Sequence, residues 1–385
     1  MHIFDYFFAH PEFDLKRCLY GHLKHFDNTN EYQFTTDSSK KCFYFINLEA
    51  LHDISADQLQ HLKNNFTKHP DNILIIDTTL EDFCSDNFYN LSNFCNQFID
   101  ISKIKVLTSC APAETFKKTF NIHYECITYH FMETTFRVWT EQMHNDIKLK
   151  KSKPKKHFIA FMKNARPVRN IFHAFFSKYN LIDKSFYSWH NIGLAENWRP
   201  GGNDELIEIC KYLQLIDNQE QIENLKTPIY YDDFIKRDEW LLPDECVEHG
   251  AIFCNFDTSN TMDITHNILY DEHEHTAFFT EKTFSPMFYK IPSLNMFSQT
   301  HFQEIKKLGY IPLDNILLDI SDAENYEQFL KNQFARLLQL GKLSIDNVYE
   351  LCISDAVKDA LDHNYNLFLQ QNQFKKIKDT LKNLY

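Results

Sequence analysis

Glycine is what this sequence has least of. Only 7 of 385 residues are Gly, and neither GxGxxG nor GxxxxGK[ST] occurs anywhere. The dinucleotide fingerprint and the P-loop both need glycines so that backbone can close on phosphates, so both lose their main support. A nucleotide site must here be built from helix starts and side chains. The 10 cysteines form no CxxC pair. With no secretion signal they read as reduced, mostly buried thiols of a cytoplasmic protein. No basic start followed by an apolar run opens MHIFDYFFAHPEFD, so no signal peptide is expected. Long apolar runs are missing too. The longest purely aliphatic stretch is Ile73–Ile76, far short of a membrane span. A net charge of −13 argues against a protein that simply coats nucleic acid.

What is present is apolar and aromatic material, 43% hydrophobic with 36 Phe, enough for two cores in a chain of this length. Residues 1 to about 35 are aromatic and His-rich with no clear period. From there CFYFINL (Cys42–Leu48), NILIID (Asn72–Asp77), KIKVLT (Lys103–Thr108) and Cys126–Tyr129 read as strands. Ile54–Phe66, Leu80–Phe98 and Pro112–Phe120 read as the helices between them. Strands alternating with helices over short connections predict a mainly parallel sheet covered on both faces. Ligands in such folds bind at the carboxyl ends of strands.

The run IKLKKSKPKKH (Ile147–His157) holds six lysines and a proline and marks the expected boundary between residues 1–150 and 151–385. It reads as a solvated linker, with contact to a phosphate backbone or an acidic acceptor as the functional alternative for Lys148–Lys156. Beyond it, His157–Met162 is a buried strand. Pro167 then fits the first position of a helix whose buried face is Val168, Ile171, Phe172, Phe175, Phe176 and Tyr179. Arg166 and Arg169, three residues apart, reach the space above that helix start, where guanidinium forks suit phosphate oxygens. Asp183 to about Leu242 reads as loop-rich, with one short helix near Asp204–Leu215. Ala251–Phe256 is the next strand. In the cluster Asp271, Glu272, His273, Glu274, His275 two His at i, i+2 with acids beside them can bind a metal. Without a third well-placed ligand it reads as plain loop, with a metal-dependent hydrolase using His273 and His275 as the alternative.

Phe278–Leu313 gathers the strongest local signals. Thr280 caps a helix that opens with Glu281 and Lys282, or else Ser285 is the cap with Pro286 at the first helical position. Either way the ionic pair stands beside a helix N-terminus, where backbone N–H groups and the macrodipole favour an anion. Ile291–Phe297 reads as a strand and Gln299–Leu308 as a helix stopped by Gly309. From Ser321 to Tyr385 the pattern is helical.

Two of these stretches, taken in order, carry a resemblance. HFIAFMKNARPVRNIFHAFFSKYNLIDKSFYSW resembles the strand–arginine–helix segment of nucleotide-sugar glycosyltransferases, in particular the family 10 fucosyltransferases and phage-borne relatives. FFTEKTFSPMFYKIPSLNMF resembles their TEK…(K/S)P…G.P segment. The resemblance is confined to motifs in residues 157–312. It implies an α/β fold of two Rossmann-like domains facing a cleft, GT-B-like, with C-terminal helices. The N-terminal domain would hold the acceptor and the C-terminal one the donor. It implies a hexosyl- or pentosyltransferase that needs no metal and no cofactor beyond its nucleotide-diphosphate sugar. Glu281 would bind the ribose hydroxyls. Lys282 and Arg169 would neutralise the diphosphate, with Asn164 and Arg166 lining the same space. Lys290–Ile291–Pro292 departs from the pattern, since relatives often have Gly before that proline.

The chemistry also asks for a general base near the acceptor hydroxyl. Asp77, at a strand's carboxyl end, then Glu81 and Glu114 are the candidates. The acceptor is a glycan, a small molecule or hydroxymethylated phage DNA. A non-catalytic binding protein with the same fold is the competing reading.

Overall fold

The computed structural model describes residues 1–4, 18–25, 27, 31–37, 39–47, 56–78, 85–130, 132–136, 152–164, 167–192, 207–208, 210–218, 221–222, 227, 229, 231, 242–256, 277–296, 298–318, 323, 325–370 and 373–385. The chain divides into two compact units, Met1–Gln142 with Gln371–Tyr385, and Met143–Gln370. Each is α/β and Rossmann-like, built on a parallel sheet.

In the first unit the elements are β1 (His2–Phe4), α1 (Leu19–His25), β2 (Gln33–Thr35), β3 (Phe43–Asn47), α2 (Ala56–Lys68), β4 (Ile73–Thr78), α3 (Ser85–Cys95), β5 (Ile104–Thr108), α4 (Ala113–Thr119) and β6 (Glu125–Thr128). The sheet order is β2-β1-β3-β4-β5-β6, with every pairing parallel. Phe43 to Ile46 and Ile73 to Ile76 are all buried, as continuous apolar strands covered on both faces must be.

The last helix, α13 (Gln373–Leu384), also belongs to this unit, whereas the sequence reading placed all the C-terminal helices with the second domain. Its apolar stripe of Phe374, Ile377 and Leu381 is buried. Lys378 Nζ meets Asp27 Oδ1 at 2.8 Å, and Phe374 stands edge-on to His22. The stripe shows that the helix must dock, but not on which sheet.

The second unit contains β7 (Lys156–Asn164), α5 (Pro167–Lys178), β8 (Ser185–Ile192), α6 (Asp244–His249), β9 (Gly250–Asn255), α7 (Glu281–Phe288), β10 (Ser293–Asn295), α8 (Gln299–Lys307), α9 (Asp314–Leu317), α10 (Tyr326–Lys342), α11 (Ile345–Cys352) and α12 (Asp355–Gln370). The four strands run parallel in the order β10-β9-β7-β8. From β7 the chain passes through α5 to β8 on one side, and from β9 through α7 to β10 on the other. Right-handed crossovers in opposite directions put α5 and α7 on opposite faces. Strand parity agrees. Phe158, Ala160, Met162, Tyr187, Trp189, Ile252 and Cys254 share one core with α5 and α10, in which Phe175 stacks on Phe334 at 4.2 Å.

Several local expectations take definite form. Pro167 opens α5, and Val168, Ile171, Phe172, Phe175 and Phe176 are buried. Tyr179 is not part of that face; it follows the helix and is 41% exposed. Gly309 closes α8 at φ 92°, with the amides of Gly309 and Tyr310 donating back to Lys306 and Ile305. β8 lies inside the stretch expected to be loop-rich. All nine described cysteines are free, and most are buried. Among the described residues no helix is long and apolar enough to cross a membrane.

Candidate functional site

Reversal of strand order between β9 and β7 opens a crevice at the carboxyl edge of the second sheet, where ligands of doubly wound folds bind. Two helices start at this edge, α5 after β7 and α7 after β9. Both first turns are fastened to the last residues of β9. From α5, Arg169 donates Nε and Nη2 to the carbonyl of Phe256 at 3.2 and 3.1 Å, and its side chain is buried. From α7, Thr283 Oγ1 lies 3.4 Å from Asn255 Nδ2 and 3.1 Å from His301 Nε2 of α8. Consecutive strand residues face opposite sides of a sheet. The Asn255 side chain meets α7, and the Phe256 ring packs on Phe172 of α5 while its carbonyl takes Arg169.

The start of α7 resolves the two capping alternatives. Thr280 is the cap, its Oγ1 accepting from the Lys282 amide at 3.2 Å, and Glu281 is the first helical residue. Pro286 sits inside the helix, where it has no N–H to give the Lys282 carbonyl. Lys282, in the first turn, is partly exposed. The Lys282 and Thr283 amides both turn back to Thr280, to its Oγ1 and its carbonyl, and the positive end of the helix dipole lies at the strand-end crevice with Lys282 in the first turn.

Behind α7 the polar floor continues. The β9 and β10 ends are in register at Asn255 and Asn295. The Asn295 amide donates to buried Asp314, the first residue of α9, at 3.0 Å, and its Nδ2 donates to the carbonyl of Ser298, the cap of α8. Burial pushes the Asp314 carboxyl up from its ordinary range, partly offset by Arg336 and by these hydrogen bonds. A small cavity of about 40 Å³ lies among Asn255, Thr283, Asn295, His301 and Asp314. It is large enough for ordered water.

Of the sequence-predicted donor residues, Arg169 and Lys282 come to the same strand end, one as a buried tie and the other at its rim. Asn164 closes β7, and Glu281 opens α7; their side chains, like all of Arg166, lie outside the described residues. Glu81 lies outside them too, as do His273 and His275 and Lys148 to Lys151. Asp77 is buried in β4, and its Oδ2 accepts from the Leu19 amide at 3.3 Å, at the start of α1. Glu114 is exposed in the first turn of α4. Asn255, Thr283 and His301 escaped the sequence reading. A polar residue closing an apolar strand, as in AIFCN, was the one signal that pointed to them.

A second polar cluster lies in the first unit. His22, fully buried on α1, meets Tyr129 Oη at 2.5 Å through Nδ1 and Thr135 Oγ1 at 3.1 Å through Nε2. Burial drives the Tyr129 hydroxyl well above its ordinary pKa, so it stays protonated. Both imidazole nitrogens are occupied by hydroxyls of its own fold, which makes this a fixed interior network.

No protein-family model, no curated protein and no solved structure matches the chain.

Proposed function

We propose that the chain is a glycosyltransferase that moves a sugar from a nucleotide-diphosphate donor to an acceptor hydroxyl without a metal. One observation carries the reading. The first turns of α5 and α7, which hold Arg169 and Lys282, are both fastened to Asn255–Phe256 at the switch point of the second sheet. Glycosidic cleavage leaves charge on the departing diphosphate, and cations with helix-start amides aimed there stabilise it. In this reading Lys282 and the positive end of the α7 dipole take the phosphates, and Glu281 takes the ribose. Asn164 and Arg166 are assigned to the same donor site by the resemblance alone. Arg169 contributes charge while holding the strand end in place. The acceptor, a glycan, a small molecule or hydroxymethylated DNA, belongs to the first unit.

Titration calorimetry against UDP, GDP, ADP and CDP without divalent ions tests the donor site. Micromolar to millimolar binding of at least one, lost in Lys282→Ala, is expected. No binding by any of the four removes the proposal. A second reading, a binding protein that keeps the donor site without catalysis, is favoured by Asp77, whose carboxylate serves the α1 amide. Slow hydrolysis of the bound donor sugar would exclude it.

A further inference from the structure

A separate cavity opens at the opposite, amino edge of the second sheet. It has a volume of about 200 Å³ and lies where the chain enters three strands, at Pro154, Gly250 and Pro292. Helices α6, α11 and α12 complete it. Its walls are apolar, with Val247, Ile291, Cys352 and Leu361 among them. A cavity of roughly 150 Å³ already holds a benzene ring, and drug-sized sites begin near roughly 300 Å³. The space therefore fits one side-chain-sized apolar body with a small head group.

The charges around it decide which head group. Lys290 and Asp362 satisfy each other at 2.7 Å, and the Lys290 ammonium also sits 4.5 Å from the Tyr365 ring centre. That leaves Glu248 on α6 and Lys358 on α12, both lining the cavity. Among the described residues neither has an ion-pair partner, and they do not bridge to each other. An apolar pocket with one carboxylate on one wall and one ammonium on another is complementary to a zwitterion. A simple carboxylate would meet Glu248 as a like charge, and a simple amine would meet Lys358 so; both are selected against.

The geometry points to a binding site for a free α-amino acid with a branched or aromatic side chain. The side chain enters the apolar pocket, the carboxylate faces Lys358 and the ammonium faces Glu248. The site is independent of the nucleotide crevice, which lies at the other end of the same strands. It gives the second unit an effector site.

Calorimetry on the full chain with leucine and phenylalanine, each compared with its deaminated acid and its decarboxylated amine, tests this. Saturable binding of the amino acid is expected, with both truncated analogues weaker by roughly tenfold or more. Lys358→Met and Glu248→Gln, both at the protein surface, should each weaken it by a similar factor. Peptide-resolved alkylation of Cys352 should slow several-fold when leucine is bound. Lys282→Ala should leave all of this unchanged, so loss of the nucleotide reading does not touch it. No saturable binding of any amino acid, equal binding of the acid or the amine alone, or indifference to both variants overturns the assignment.

Discussion

The Arg169 guanidinium grips the Phe256 carbonyl with two donors, at 3.2 and 3.1 Å, and so fixes the first turn of α5 to the carboxyl end of β9. Phe256 itself is fully buried, with its ring edge-on to Phe172 and Phe176 of the same helix. A residue that sequence alone marks as a phosphate ligand is thus also a structural tie. The two roles are separable, because a tie affects folding and a ligand affects binding.

Replacing Arg169 by Met keeps most of the volume but leaves the Phe256 carbonyl buried without these donors. Hydrogen bonds from charged groups carry about 1.5–3 kcal/mol, and an orphaned buried acceptor adds its own desolvation cost. Urea unfolding of R169M should therefore show a loss of about 3 kcal/mol. Arg169→Lys should recover only part, since an ammonium cannot present two parallel donors. A Met variant as stable as wild type would show that the tie holds nothing.

Lys282 tests the other role. Its side chain is partly exposed, and Ala is a good helix former, so Lys282→Ala should change stability by less than about 0.5 kcal/mol. If the ammonium contacts a diphosphate, its loss removes about 1.5–3 kcal/mol of binding, roughly 10- to 100-fold in affinity. Lys282→Arg should keep most of it. Unchanged affinity in Lys282→Ala would place the diphosphate elsewhere.

Much of the framework was legible because it rests on short-range pattern. NILIID could only be a doubly covered strand, and Pro167 with Val168, Ile171 and Phe172 could only be a helix start with one buried face. Three-residue strands such as His2–Phe4 and Gln33–Thr35 are too short to show a period. SFYSWHNI hid because Ser185 and Ser188 are buried in it, which breaks the apolar signature of an interior strand. At the site, the Thr280 cap was readable from spacing. The fate of Arg169 was not, since the carbonyl it holds lies far along the chain and only the assembled sheet brings them together.

Lys290 carries a backbone conformation that favours glycine. It stands just past α7 at φ 51°, the left-handed region that glycine enters at no steric cost. Lysine is kept there with its ammonium on Asp362 and over Tyr365. Lys290→Gly and Lys290→Ala both delete those contacts, so the difference between them isolates the backbone. The Gly variant should be more stable than the Ala variant by about 1 kcal/mol in matched urea titrations. Equal stabilities, or Ala the more stable, would mean that this turn carries no left-handed strain.

His157 gives the second unit a pH dependence whose sign follows from its surroundings. It is buried in β7, with Nε2 bonded to the Leu343 carbonyl at 3.0 Å. Burial lowers its pKa from the ordinary 6.5; the bond to Leu343 pulls the other way, and nearby Lys184 adds to the lowering. The folded protein therefore holds this imidazole neutral at a pH where the unfolded chain has already protonated it. Stability from this residue is fully present above about pH 6.5 and drains away as pH falls through the folded-state value. His157→Gln retains an N–H for Leu343 but does not titrate. Unfolding free energies measured from pH 7.5 down to about pH 5 should fall more steeply for wild type than for His157→Gln, with the gap opening below the imidazole's ordinary value. Parallel curves across that range would mean that the buried ring is not held neutral.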